Sequence, residues 1–200
     1  MDLVLASTSP YRRELLERLG LPFRSLAPRF TEEPPLPGAD PARLVVHNAL
    51  GKALSLAAEH PGCLIVGSDQ LAECDGRILA KPGSEERAIE QLLFLAGREH
   101  RLLTGVAVVQ SGEVAQAGDL PGRTALSVNH LAVRPLDREQ AQAYVRLDRP
   151  LDCAGAYKAE GLGIALFDYL RGDDPTAIVG LPLIALTRLL RAFGLDPLRP

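Results

Sequence analysis

An apolar strand that ends in hydroxyl residues and passes at once into a helix bearing arginines is suited to receive an anion. The chain has one at its start. Leu3-Val4-Leu5-Ala6 is followed by Ser7-Thr8-Ser9 and then by Pro10-Tyr11-Arg12-Arg13-Glu14-Leu15-Leu16. Free N–H groups at a helix N-terminus and the positive end of its dipole favour phosphate, and Ser7, Ser9 and Arg12 add directed donors. The same residues also suit an ordinary surface helix, with a Ser or Thr N-cap, Pro10 near the first helical position and two solvated arginines.

Asp69 is a second candidate. The unbroken apolar strand Cys63-Leu64-Ile65-Val66 leads into Gly67-Ser68-Asp69-Gln70, and open α/β sheets bind ligands beyond the carboxyl ends of their strands. If the two strands are parallel neighbours, Ser7 and Asp69 face one cleft; alone, Asp69 equally suits a strand-end turn. Lys52 shares the spacing of Val45, Ala49 and Leu56, so it falls on the helical stripe that should face the core. It either buries its stem and reaches water or points into the cleft toward phosphate. Lys81, before Pro82-Gly83, reads as an exposed loop lysine, and Glu32 and Glu33 as solvated charge in a proline-rich loop.

The elements that must position these groups alternate early. A strand at Leu3–Ala6 precedes a helix from about Pro10 to Leu19, ended by Gly20, and an extended segment Pro22–Ala27. Prolines 28, 34, 35, 37 and 41 preclude regular structure across most of residues 28–41. Asp40 then caps a helix from Pro41 to about His60, and the Cys63–Val66 strand, apolar on both faces, belongs inside a sheet covered by helices. Asp75-Gly76 marks a hairpin, and Ser84 caps a helix with Glu85 and Glu86 in its first turn. Two long β-type segments, about His100–Gln110 and Arg123–Val133, follow. Asp137 and Gln140 form a capping-box pattern for a helix to about Leu147, and Leu183–Phe193 is the final helix. The sum is α/β with a mixed sheet, antiparallel in its middle portion.

At 200 residues and 46% hydrophobic content, the chain is expected to be one domain, 1–200. A net charge of −3 argues against a general nucleic-acid or membrane-surface partner. Without a signal-peptide pattern or a long apolar run, a cytoplasmic protein with no membrane partner is expected. Cys63, Cys74 and Cys153 suggest neither a disulfide framework nor zinc, and His47, His60, His100 and His130 lack metal-ligand spacing. P-loop, dinucleotide-binding and nucleophile-elbow motifs are all missing. The Gly-rich run Gly155–Gly163 makes a tight loop or lets a base approach the backbone.

Taken together, the motifs resemble the Maf family of nucleoside triphosphate pyrophosphatases from Leu3 to the end of the chain. The family's S-x-S-x-x-R matches Ser7 to Arg12, its helix lysine Lys52, its strand-end aspartate Asp69 and its A-K-P lysine Lys81. Gln70 and Glu160, with Cys153–Gly161 and Val179–Leu186, look like the YceF-type 7-methyl-GTP subgroup. One departure is Thr31-Glu32, where the family often carries an acidic pair.

The resemblance implies a Maf/Ham1-like, ITPase-like fold, a strongly twisted mixed sheet flanked by helices around a central cleft. It implies Asp69 as base or holder of metal-bound water, and Ser7, Ser9, Arg12, Lys52 and Lys81 on phosphate oxygens. Mg²⁺, Mn²⁺ or Co²⁺ would be held by Glu32 and Asp69, and Arg12, Gln70 and Glu160 would set specificity. A Glu160 carboxylate can accept from the N1–H and amino edge of guanine, and Tyr157 is an aromatic on which a cationic base could stack. The expected partner is a nucleoside triphosphate, with a homodimer through an apolar helix face. The alternatives are a dTTP/UTP or ITP/XTP house-cleaning enzyme, or a non-catalytic nucleotide-binding regulator of cell division.

Overall fold

The computed structural model describes residues 2–35, 38–112 and 122–199; Leu36 and Pro37 of the proline-rich loop, and the link between the two long β segments, lie outside them. Seven strands form one sheet: β1 (Asp2–Ala6), β2 (Phe23–Leu26), β3 (Cys63–Cys74), β4 (Arg77–Leu79), β5 (Glu99–Gln110), β6 (Gly122–Val133) and β7 (Phe167–Arg171). Their order is β2-β1-β3-β5-β6-β7, with β4 paired to β3. β1 is parallel to β2 and β3, whereas β3–β4 and β6–β7 are antiparallel, so the sheet is mixed. The helices are α1 (Pro10–Glu17), α2 (Pro41–Leu54), α3 (Glu85–Leu95), α4 (Arg138–Asp148), α5 (Thr176–Val179) and α6 (Leu183–Ala192).

The chain gathers into two compact units, Met1–Asp69 with Thr104–Ser127 and Asp174–Pro200, and Gln70–Leu103 with Val128–Asp173. The first is layered by the two-residue period of its strands. Leu3 and Leu5 of β1, Leu64 and Val66 of β3 and Val106 and Val108 of β5 pack with Leu15 and Leu16 of α1 and with Leu186, Leu189 and Leu190 of α6. The alternate residues Val4, Ala6, Cys63, Ile65, Ala107 and Val109 meet Ala49 and Ala53 of α2. Each fully buried Leu, Val or Ile contributes about 1.5–3 kcal/mol, which is why strands apolar on both faces lie between helices.

α2 rests directly on the sheet. A side chain at Gly67 would strike the Ala49 carbonyl, and one at Gly105 would come within 2.7 Å of the Val45 carbonyl. Two glycines on neighbouring strands therefore seat successive turns of the helix. Parallel pairing sets Leu5 against Val66, so Ser7, just past the end of β1, and Asp69, within β3, lie beyond this pair in the same direction.

Two element boundaries differ from expectation by more than two residues. α2 stops at Leu54 rather than near His60, because the Ser55 hydroxyl donates to the Lys52 carbonyl at 2.7 Å and the chain beyond tightens into three-residue turns. β3 does not end at Asp69 but runs on to Cys74, so Asp69 sits within a strand. The Asp75-Gly76 hairpin is as expected, with both residues at positive φ (52° and 77°), the geometry of a two-residue type I′ turn.

The second unit contains β4, α3, α4 and two short 3-10 turns, Ala154–Ala156 and Leu162–Leu166. Asp137 and Gln140 close the expected capping box at the start of α4. Cys63 and Cys74 are buried free thiols and Cys153 is half-buried. Among the described residues no helix is long and apolar enough to cross a membrane.

Candidate active site

The N-terminus of α1 is built from its own hydroxyls. Ser9 is the N-cap and accepts from the Arg12 N–H at 3.4 Å, while Ser7 Oγ accepts from the Ser9 N–H at 3.1 Å. A hydroxyl that accepts keeps its own proton to donate. Arg12 Nε donates to the Gly180 carbonyl at 2.9 Å, and the Ser68 hydroxyl lies 2.9 Å from the same oxygen and 2.8 Å from that of Gly105. Burial pulls the Arg12 guanidinium below the usual arginine range, and the charges of Asp69 and Glu32 oppose that pull. The guanidinium therefore sits in the field of two acids and remains charged.

Strand alternation sends Ser68 and Asp69 to opposite faces. Asp69 meets α2, where Lys52 is the inward residue that its spacing predicts. Lys52 Nζ donates to Asp69 Oδ1 at 2.8 Å and to the Ser68 carbonyl at 3.2 Å, and it pairs with Glu32 Oε1 at 2.6 Å. The lysine and aspartate side chains are 5% and 7% exposed, Glu32 49%, so an otherwise buried cluster opens to solvent through Glu32. All three ammonium donors of Lys52 are engaged within the cluster.

Asn48 is a member that sequence reasoning missed. Its Nδ2 donates to Asp69 Oδ2 at 3.0 Å, and its Oδ1 accepts from the Glu33 N–H at 3.1 Å. It lies one turn before Lys52 on the inward stripe of α2, and a polar residue at that spacing was the available signal. Glu33 turns its carboxylate to His47, 3.1 Å away, leaving Glu32 as the loop acid at the cluster.

Ser7, Ser9, Arg12, Glu32, Lys52 and Asp69 all belong to the first unit. Gln70, half-buried on β3, and the exposed Lys81 and Glu160 belong to the second. The loop carrying Glu160 is braced within that unit: Tyr144 accepts from the Lys158 N–H at 2.9 Å, and Lys158 Nζ donates to the Asp148 carbonyl at 2.9 Å. Tyr157 is not a stacking platform. Its ring is buried edge-on against Phe167 with centroids 4.9 Å apart, and its hydroxyl bonds His100 at 2.8 Å, so burial drives its pKa upward.

Among the described residues no three His, Cys, Asp or Glu side chains gather as a ligand set. Glu32 and Asp69 already share one cation, the Lys52 ammonium, and their hard oxygens are of the type that could hold a divalent ion.

Comparison with known proteins bears on this geometry. The family model described as Maf-like protein matches residues 2–193. The chain belongs to that family. Relatives of nearly equal length include a 7-methyl-GTP pyrophosphatase of Bordetella avium, 47% identical over 98% of this chain and 95% of that protein. One of Bordetella pertussis with the same description is 49% identical over 98% and 94%. Among solved structures, a HAM1 protein from Coxiella burnetii aligns over 66% of this chain and 73% of its own, with a TM-score of 0.45 and 13% identity.

Proposed function

We propose that this member of the Maf-like family hydrolyses the α–β phosphoanhydride of 7-methyl-GTP, or of a related modified purine nucleotide, to the monophosphate and pyrophosphate. The observation that carries this reading is the pairing of Lys52 with both Asp69 and Glu32 beside the Arg12 and hydroxyl site. The names of the relatives support the substrate.

In this reaction a water oxygen bonds to the α-phosphorus, the bond to the bridging oxygen breaks, and pyrophosphate leaves with the electron pair. The attacking water must give up a proton, and Asp69 takes it. Ser7, Ser9 and Arg12 hold phosphate oxygens with directed donors, while Lys52 and Lys81 balance their charge. A divalent cation held by Glu32 and Asp69 would supply further charge neutralisation. Lys52 meanwhile keeps the two acids together. Glu160 accepts from the guanine N1–H and amino group, a pairing that uracil and thymine lack, and Gln70 contributes to the same choice.

The test is pyrophosphate release from a panel of nucleoside triphosphates, including 7-methyl-GTP, GTP, ITP, XTP, dTTP and UTP, with Mg²⁺, Mn²⁺ or Co²⁺. Preference for 7-methyl-GTP is expected, and inactivity on every member rejects the reading. Gln70→Thr with Glu160→Gln should move preference toward pyrimidines; an unchanged ranking would place base choice in other residues.

A further inference from the structure

Residues Arg29 to Glu33 lie in the proline-rich loop yet are fixed along α2 and the turn that follows it. The Arg29 N–H donates to Ser55 Oγ at 3.0 Å, and the Arg29 guanidinium pairs with Glu59 at 2.7 Å. Phe30 lies over Gly51, where an added side chain would meet its ring, and its ring is 6.0 Å from that of His47. Glu32 then pairs with Lys52, and the Glu33 N–H donates to Asn48.

Gly51 is an unusual choice at that place. A glycine inside a helix costs about 1 kcal/mol relative to alanine, and here the missing side chain provides the seat for Phe30. Asn48 makes the second fixed point, and its other end holds Asp69. The Glu32 carboxylate lies between these two anchors.

We propose that Gly51, Phe30 and Asn48 are positioning residues that hold the Arg29–Glu33 strap on α2, so that Glu32 and Asp69 converge on one cation. The inference rests on the metal role assigned to these two acids under the proposed function. Gly51 and Phe30 act through the strap, and Asn48 acts through the Asp69 carboxylate to which it donates. Their effect is on the distance between two acids, one from a loop and one from a strand.

The experiment is calorimetric titration of the full chain with Mn²⁺ alone, together with the Mn²⁺ dependence of turnover. In Gly51→Ala the helix gains propensity while Phe30 is displaced, so thermal stability should hold or rise as Mn²⁺ affinity falls by about 10-fold or more. Phe30→Ala should give the same loss of affinity, and Phe30→Leu, which refills the seat in part, should recover some of it. Asn48→Ser shortens the second anchor and should raise the Mn²⁺ concentration needed for half-maximal rate. Wild-type Mn²⁺ affinity in both Gly51→Ala and Asn48→Ser would overturn the proposal. Because metal binding is read without nucleotide, failure of the substrate panel and failure of the strap are separately visible.

Discussion

The two units differ in their largest buried polar clusters, although the second also buries the Glu73 carboxylate, which pairs with Arg101 at 2.7 Å. In the first, Lys52, Asp69 and Asn48 are buried as a charged network with Glu32 at its mouth. In the second, His100, Tyr157 and Phe167 form a neutral aromatic cluster in which burial suppresses ionisation. A neutral network can be closed over because it loses little hydration, whereas ions taken from water need a partner for every oxygen and proton. The first unit's charged cluster reaches solvent through Glu32, whereas the second unit's aromatic cluster uses its polar atoms to fix packing.

Substitutions can break this contrast from either side. The largest effect is expected for Asp69→Asn, which preserves size and an acceptor oxygen but removes the charge: turnover should fall about 10²–10⁴-fold with nucleotide binding largely retained. A wild-type rate in steady-state assays would remove Asp69 from the chemistry. Lys52→Met leaves the buried Asp69 without its cation and should cost about 3–5 kcal/mol in urea unfolding. Added Mn²⁺ should restore part of that loss, and equal stability with and without metal would mean that the acids do not share a cation.

The smallest effect belongs to the neutral cluster. Burial lowers the pKa of His100 from 6.5 to about 4, opposed by a backbone contact with Leu131 and by the charges of Glu99 and Glu73. An unfolded chain takes up that proton near pH 6.5, so the stability His100 confers is complete above this value and declines as pH falls toward 4. Between pH 7 and pH 5 the loss should be roughly 2 kcal/mol. His100→Phe should flatten that part of the unfolding profile, and an identical slope in both proteins would show that other groups set it.

How much of this was legible in the sequence follows from the range of each interaction. Local signals located a Ser or Thr cap before Pro10, the Asp75-Gly76 turn, the capping box of α4 and the inward position of Lys52, since each is decided within a few residues. The continuation of β3 past Asp69 was hidden because an aspartate after an apolar run reads as a strand end, whereas the strand runs on into the hairpin. Phe30 in a proline-rich loop gives no local sign that it is seated on Gly51. Tyr157 looked available because a sequence shows a ring and not the His100 and Phe167 that enclose it. The partner of Arg12 is a backbone carbonyl 168 residues away, which no side-chain pattern encodes.

That last contact sets an order of events during synthesis. The Gly180 carbonyl that receives Arg12 and Ser68 belongs to a segment tied down by Asp174, which accepts from Thr176 and from the Ile184 N–H, and by Thr104, which donates to the Ala177 carbonyl. Arg12 leaves the ribosome 168 residues ahead of its acceptor. A nascent chain therefore carries Arg12 of α1 without this brace until Gly180 has been made and its segment has been fixed by Asp174 and Thr104.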